Sequence, residues 1–186
     1  MRILGIDPGF KATGYGVIDC DDHGARARIE LLEAGSIEPK SKDQFPNRID
    51  KVYKNLDAII LQYSPTVMVL EKLYSHYKHP TTACIMGHVR GAICLLCAHR
   101  DLKLVEYSVK RIRKTLIGNG NASKQQMQGA VAHLLKIDAG KLTLDASDAL
   151  SLAVGYAFGQ KHLNLAVSQR KTKSVFRPRG RSLNVY

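Results

Sequence analysis

Cysteine is scarce in this sequence. Only four of its 186 residues are cysteines, at positions 20, 84, 94 and 97. So few cysteines in a chain of this size do not make the disulfide framework of a small secreted protein, and a reducing cytosol is the expected environment. Cys94-x-x-Cys97 with His99 also invites a zinc interpretation, but no second Cys-x-x-Cys pair occurs. The pair lies in an apolar helical stretch, which favours buried cysteines over metal ligands.

Long apolar runs are also absent. The chain is 45% apolar, which is enough for a real core, yet no stretch approaches the ~18–20 uninterrupted apolar residues of a membrane span. The first residues enter a strand-like pattern directly and show no signal-peptide core. We therefore expect one domain of ordinary size that does not act at a membrane.

Acidic residues are missing from two stretches of a chain whose formal net charge is +12. Residues 160–186 hold seven basic residues and residues 108–124 hold five, with no Asp or Glu in either stretch. This distribution predicts a polyanionic partner, bound through phosphate contacts with release of counterions. The alternative is a solvated basic face that binds nothing, but two separate acid-free blocks favour nucleic acid. The basic residues of the second block are Lys110, Arg111, Arg113, Lys114 and Lys124.

The apolar patterns predict an α/β fold in which helices cover a mixed sheet of five strands. The predicted strands cover residues 2–6, 13–20, 28–37, 66–71 and 102–107. Helical periodicity predicts helices over residues 45–63 and 80–99, a short basic helix that ends at 117, a helix capped by Ser123 that runs to 136, and a last helix over 145–160. From Ser168 the periodicity is lost. We therefore expect a domain over residues 1–167 and a basic, flexible tail over 168–186.

Carboxylates stand where the buried patterns end. Asp7 follows the first apolar run, Glu71 ends the fourth strand, and Asp145 and Asp148 lie three residues apart on one face of the last helix. An Asp before Pro-Gly is ordinary turn chemistry, and acids in a first helical turn favour the helix dipole. The dipole, however, says nothing about Asp7 and Glu71.

Four carboxylates gathered near the ends of a sheet need a cation. They would repel one another and lose solvation, which is costly unless a positive charge neutralises them. Oxygen ligands suit Mg²⁺ or Mn²⁺, and two such ions roughly 3.5–4 Å apart are a common device for phosphodiester cleavage. A chain that is basic elsewhere and acidic in one place therefore has the pattern of a metal-dependent nuclease.

Five motifs, in order from about residue 2 to residue 158, make the sequence similar to the RuvC Holliday junction resolvases. They are G-I-D-P-G-F-K-A-T-G-Y-G-V-I, V-L-E-K-L-Y, M-G-H-V-R-G-A-I, V-K-R-I-R-K-T-L-I-G-N-G-N-A-S-K-Q-Q-M and D-A-S-D-A-L-S-L-A. The resemblance implies an RNase H-like fold and a homodimer that cuts two symmetry-related strands of four-way junction DNA during recombination and repair. It also implies a cytoplasmic, nucleoid-associated enzyme, with a branch-migration motor as a further candidate partner.

The resemblance implies roles for single residues as well. The family's four acids hold divalent metals, two Mg²⁺ per active site with Mn²⁺ as a substitute, and they fall on Asp7, Glu71, Asp145 and Asp148. Tyr74 matches an aromatic residue implied to stack on a base near the crossover, although half-buried packing is the alternative for a lone tyrosine. Arg113 and Lys124 match basic residues near the scissile phosphate. Lys124 is the catalytic candidate, with a groove-lining phosphate contact as its alternative role. A Lys is more usual at the position of Arg113, so the charge is kept but the donor geometry changes. Further DNA contacts are expected from Lys110, Arg111 and Lys114.

The sequence also has features of two other functional classes and one candidate dimer interface. D-P-G-F-K-A-T-G also resembles the first phosphate loop of actin-like ATPases and sugar kinases, but those proteins need two such lobes. A non-catalytic junction-binding protein would have no use for all four acids. The apolar helix over residues 80–99 is the candidate dimer seam, with Ile93 and Leu96 as test positions, and deep burial within one subunit is the alternative.

Overall fold

The computed structural model describes residues 1–9, 11–21, 28–72 and 80–175. Within these ranges the chain forms five strands, five α-helices and one short 3₁₀ helix at Ala139–Lys141. The strands are β1 (Arg2–Asp7), β2 (Thr13–Asp21), β3 (Arg28–Ile37), β4 (Val67–Glu71) and β5 (Lys103–Tyr107). The α-helices are α1 (Phe45–Tyr63), α2 (Pro80–His99), α3 (Val109–Ile117), α4 (Lys124–Leu135) and α5 (Leu144–Val175).

The strands form one mixed sheet in the order β3-β2-β1-β4-β5. The first three strands pair antiparallel as a meander, whereas β4 and β5 run parallel to β1. A parallel pair needs a crossover connection, which α2 provides between β4 and β5. The mixed five-stranded sheet predicted from the sequence is confirmed.

Each face of the sheet carries its own core. Because side chains alternate along a strand, Leu4 and Ile6 of β1 pack with α1 and α2 on one face. Ile3 of β1 and Val67 and Val69 of β4 pack on the other face, where α3, α4 and α5 cover the sheet. The helices therefore fall into two layers with the sheet between them.

The last helix is apolar on every side where it crosses the sheet. Ala149, Leu150, Ala153 and Val154 are fully buried, as expected of a helix enclosed in the core. Its end differs from the prediction, because α5 continues past Gln160 to Val175. Residues 168–175 are thus helical where we expected irregular chain, and residues 176–186 lie outside the described part. The function of this basic segment stays a prediction.

Helix α2 presents two different faces. Val89, Ile93, Leu96 and Cys97 pack in the core of the chain itself, so Ile93 and Leu96 are not exposed for a dimer seam. The opposite face carries Leu95, which is 53% exposed. By length and composition Thr81–His99 could also cross a bilayer, a property that core helices of soluble proteins share, and 22% of the residues in this stretch are buried.

Candidate active site

Two parallel strands bring the first two carboxylates together. In the register of β1 and β4, Ile6 is opposite Leu70, so Asp7 and Glu71 occupy the next step of both strands. Alternation turns their side chains to the face occupied by α5, the face on which Ile3 and Val69 are buried. The sequence thus places both acids at the carboxyl edge of the sheet and on the same side of it.

Glycines allow α5 to lie directly on this edge. A Cβ atom added to Gly5 would lie 2.0 Å from the carbonyl oxygen of Ala149, and one added to Gly14 would lie 2.0 Å from the carbonyl oxygen of Asp145. Only residues without a side chain fit at such separations. Gly14 is also the partner of Asp7 in the β1–β2 ladder. The first turns of α5, with Asp145 and Asp148, are therefore held beside Asp7.

The acids line one cavity with two basic residues. The cavity has a volume of about 290 Å³, and Asp7, Glu71 and Asp148 share it with Arg113 and Lys124. The rest of its wall is mainly apolar, from Val109, Ile112, Met127, Ser151 and Leu152. Asp145 is not among the lining residues, but its charge acts on Lys124. The structure thus brings three of the four predicted acids into direct reach of one another and leaves the fourth at the margin.

The cavity holds more negative charge than its surroundings stabilise. Burial raises the pKa of Asp7 to about 8, with further contributions from a hydrogen bond to Glu71 and from the charges of Glu71 and Asp148. Lys124 opposes this shift. The Asp7 carboxyl therefore binds a proton far more readily than an exposed aspartate does, and a side-chain hydrogen bond joins it to Glu71.

Lys124 supplies a positive charge inside the cluster. Its Nζ donates to Oδ2 of Asp148 at 2.6 Å, and this hydrogen bond is the main reason that the pKa of Lys124 is raised. The position of the lysine follows from local sequence. Ser123 and Gln126 form a reciprocal capping box, which fixes the start of α4 and makes Lys124 its first residue.

The donor set fits a hard divalent cation. Among the described residues, no three His, Cys, Asp or Glu side chains stand in the arrangement of a metal centre. Instead, Asp148 is paired with Lys124 and Asp7 is hydrogen-bonded to Glu71. Carboxylate oxygens are nevertheless the ligands that Mg²⁺ and Mn²⁺ prefer. Burial and the neighbouring carboxylates raise the pKa of Asp7, and a divalent cation held by these oxygens would favour the ionised form.

One basic residue of α3 reaches this cavity, and three others of the same helix are exposed. Arg113 lines it, and its Nε is buried without a hydrogen-bond partner. The Arg111 guanidinium lies 4.6 Å from the centre of the Tyr107 ring, a cation–π contact that holds its stem while the side chain stays exposed. Lys110 and Lys114 are exposed as well. Tyr74, the predicted base-stacking residue, lies outside the described residues.

The cysteine motif of α2 is not a metal site in the described structure. Burial raises the pKa of Cys97 to about 11, and its thiol points to the sulfur of Met68 at 3.2 Å. Cys94 is half-buried in the same helix, and the structure groups neither cysteine with other metal-ligating side chains. Both are free thiols.

Comparison with known proteins identifies the family. The family model "Crossover junction endodeoxyribonuclease RuvC" matches residues 3–156. The crossover junction endodeoxyribonuclease RuvC of Chloroherpeton thalassium is 40% identical over 174 residues, which cover 94% of this chain and 90% of that protein. The chain belongs to the RuvC family. The predicted function, endonucleolytic resolution of crossover junctions in DNA, is confirmed, and the family decides against an ATPase or kinase lobe.

Solved structures agree with this assignment at the level of the fold. The Thermus thermophilus RuvC structure superposes with a TM-score of 0.77 at 20% identity, covering 87% of this chain and 96% of that one. The same protein in complex with a Holliday junction substrate gives a TM-score of 0.76 at 17% identity, with the same coverage. The RNase H-like fold predicted for this RuvC-family chain is confirmed.

Sequence reasoning missed several residues around the RuvC-family site. Ser151 and Met127 line the cavity, but a serine and a methionine at helical spacing carry no functional signal of their own. Arg90 contacts the main chain of Glu71 from the other face of the sheet. It lies in the motif M-G-H-V-R-G-A-I, where a lone arginine in an apolar helix was a signal that could have been used.

Proposed function

We propose that this RuvC-family chain resolves four-way DNA junctions by metal-dependent hydrolysis of two symmetry-related phosphodiester bonds. The observation that carries the proposal is the shared cavity of Asp7, Glu71 and Asp148, with Arg113 and Lys124 at its wall. Carboxylates that attract a divalent cation, next to cations that attract a phosphate, make up the charge pattern of a phosphodiesterase site.

The ligands of the metal are the buried acids. Asp7, Glu71 and Asp148 are positioned to hold Mg²⁺, or Mn²⁺ in its place, and Asp145 stands at the edge of the cluster. When bound, two such ions lower the pKa of an attacking water and stabilise the leaving oxygen. A metal held there would need an ionised Asp7 and an Asp148 carboxylate released from its hydrogen bond with Lys124.

The basic residues then face the phosphate. Lys124 lies in the same cluster, and its ammonium would pair with a phosphate oxygen, where a cation stabilises the charge of the transition state. Arg113 lines the same cavity, and its guanidinium can pair with a phosphate oxygen bound there. Exposed Lys110, Arg111 and Lys114 extend the positive surface along α3. Tyr74 is proposed to stack on a base at the crossover.

A homodimer is proposed to pair two such sites. A four-way junction has two like strands related by a two-fold axis, which a dimer of the same symmetry matches. We place the seam on the outer face of α2, formed by Gly87, Gly91 and Leu95. A Cβ added to either glycine meets nothing within 4 Å, so a second helix has room to approach, and Leu95 is exposed.

The cellular setting is proposed from the family alone. It comprises a cytoplasmic, nucleoid-associated location and a branch-migration motor as an additional partner. Cutting of an isolated junction by purified protein tests the chemistry apart from both.

The experiment uses purified protein and a synthetic four-way junction with each strand labelled in turn. With Mg²⁺ or Mn²⁺, denaturing gels should show nicks at symmetric positions in two strands of like polarity, while a linear duplex of the same sequence stays intact. Ca²⁺, which is larger and looser in its coordination, should support binding with little cutting. Undiminished cutting in excess EDTA would rule the mechanism out.

A further inference from the structure

A buried arginine holds the end of β4 from behind. Arg90 lies in α2, on the face of the sheet opposite to the carboxylate cavity, and its side chain is 12% exposed. One guanidinium nitrogen donates to the main-chain oxygen of Glu71, and a second donates to the carboxylate of Glu106 in β5. A single side chain thus ties α2 to the ends of two neighbouring strands.

The register of the sheet explains why this place needs a donor. Glu71 is opposite Tyr107, and the amide of Lys72 donates to the carbonyl of Tyr107 at 2.8 Å. The pairing of β1 with β4 ends at Ile6 and Leu70, so the Glu71 carbonyl lies just beyond that ladder. An arginine at this point satisfies a carbonyl that the strand pairing leaves over.

Burial of the Arg90 guanidinium costs desolvation free energy, so its hydrogen bonds to Glu71 and Glu106 are needed to keep it in place. A guanidinium that loses its water is unfavourable unless its donors find acceptors, and a pair with a carboxylate reduces the penalty. Glu106 supplies that carboxylate from β5, on the sheet face that also carries Leu104. Arg90 is therefore held by contacts with two strands and is not available as a DNA contact.

We propose that Arg90 is a positioning residue for Glu71. By fixing the peptide group that follows Glu71, the guanidinium sets the direction of the last Cα–Cβ bond of β4, and so aims the Glu71 carboxylate at Asp7. The inference rests on the proposed metal-dependent function of the cavity. Outer contacts of this kind change metal affinity or activity by about 10–100-fold when they are removed.

The test compares Arg90→Gln, Arg90→Lys and Glu106→Ala with Arg100→Gln as a matched control. Arg100 also pairs with a carboxylate, that of Asp57 at 2.6 and 2.7 Å, but it joins α1 to the end of α2 away from the cavity. Calorimetric titration with Mn²⁺ in the absence of DNA measures metal affinity, and cleavage of a four-way junction at saturating protein is followed against Mg²⁺ concentration.

We expect Arg90→Gln to weaken Mn²⁺ binding about tenfold or more, with a matching rise in the Mg²⁺ concentration for half-maximal cleavage and unchanged junction affinity. Arg90→Lys keeps one charged donor and should show a smaller shift in the same direction. Arg100→Gln should match the wild type in both measurements, because a merely stabilising ion pair does not alter metal dependence.

Glu106→Ala keeps the test decisive if Arg90→Gln does not fold. Glu106 is 46% exposed, so its truncation leaves no buried cavity and water can enter the space beside Arg90, which loses its second anchor. Wild-type Mn²⁺ affinity and wild-type Mg²⁺ dependence in this variant, and in any Arg90 variant that folds, would overturn the positioning role alone. If the wild type itself binds no Mn²⁺ and cuts in EDTA, the proposed metal-dependent function is wrong, and the positioning role of Arg90, which rests on it, is wrong as well.

Discussion

At the scale of single residues, Asp7 holds a place in the fold that is unfavourable for its charge. Burial and neighbouring carboxylates raise its pKa from 3.8 to about 8. Without metal, and between pH ~4 and pH ~8, the folded state therefore keeps a proton on Asp7 that the unfolded chain has already lost. Since the folded pKa is the higher one, the contribution of Asp7 to stability is fully present below pH ~4 and is lost as the pH rises towards 8.

Asp7→Asn should separate stability, binding and cutting. The amide carries no charge, so at pH 8 in EDTA the variant should be more stable than the wild type, and each ~1 kcal/mol gained should raise the melting temperature by roughly 2–4 °C. The difference should vanish below pH ~4. The variant should lose cleavage but still bind the junction. Its junction affinity should rise, because a negative charge near the phosphate is gone. Thermal unfolding across pH and gel-shift titration measure these effects.

The control for this variant is Asp50→Asn on α1. Asp50 forms an exposed pair with Lys54, so its neutralisation should leave cutting and the pH dependence of stability unchanged. Near-normal cutting by Asp7→Asn would show that the Asp7 carboxylate takes no part in cleavage.

The acids and the basic partners of the site were predictable to different degrees. Asp7 and Glu71 stand out in the sequence because a carboxylate at the end of a buried strand has few structural uses. The contact between Lys124 and Asp148 was not predictable, because it depends on how α4 packs against α5. Arg90 was missed for the same reason, since its partners belong to β4 and β5.

At the scale of secondary-structure elements, the close approach of α5 to β1 and β2 decides where the acids stand. Gly14→Ala would place a methyl group 2.0 Å from the main-chain oxygen of Asp145, so the helix or the strand must move. We expect a loss of about 1–3 kcal/mol in the free energy of unfolding, as for other overpacked sites, with weaker metal-dependent cleavage in the protein that still folds. Urea unfolding and junction cleavage are the measurements.

Gly129→Ala is the matched control within a helix. Gly129 lies in α4, where an added Cβ meets nothing within 4 Å, so alanine should stabilise the protein by roughly 0.5–1 kcal/mol through its higher helix propensity. If Gly14→Ala behaves like Gly129→Ala, close packing of α5 does not position the acids.

Periodicity predicted the helices better than it predicted their faces and ends. Helix α2 is apolar on both sides, so its sequence could not show that Ile93 and Leu96 face the core while Leu95 faces out. The end of α5 was placed at Gln160 because the apolar pattern stops near there, yet the backbone stays helical to Val175. An apolar pattern depends on core contacts and does not by itself mark where a helical backbone ends.

At the scale of the whole molecule, the basic end of the chain should act through charge rather than shape. Truncation after Val175 keeps α5 and removes Arg177, Arg179 and Arg181. If these residues contact phosphates, the slope of log affinity against log salt should fall by ~0.9 per contact, or about 2.7 in all. Cutting at saturating protein should not change. Replacing the three arginines by glutamine in the full chain should give the same slopes, and an unchanged slope in both would exclude contacts from this segment.

A dimer that pairs two active sites distinguishes a resolvase from a nuclease that merely shares the fold. Leu95→Glu puts a charge on the outer face of α2 between the two proposed helices, where it would be buried without a partner. The variant should sediment as a soluble monomer with unchanged Mn²⁺ affinity. It should lose the simultaneous nicks that linearise a cruciform plasmid and retain at most single nicks.

Leu61→Glu is the matched control for this seam. Leu61 is 59% exposed on α1, close to the 53% of Leu95, so the two substitutions differ in location rather than in exposure. The control should remain dimeric and linearise the plasmid as the wild type does. Because Ile93 and Leu96 are buried within their own subunit, charges there would unfold the chain and could not address the question. A dimer that survives Leu95→Glu would place the seam on another surface, and a wild-type monomer that cuts linear duplexes as readily as junctions would contradict paired resolution altogether.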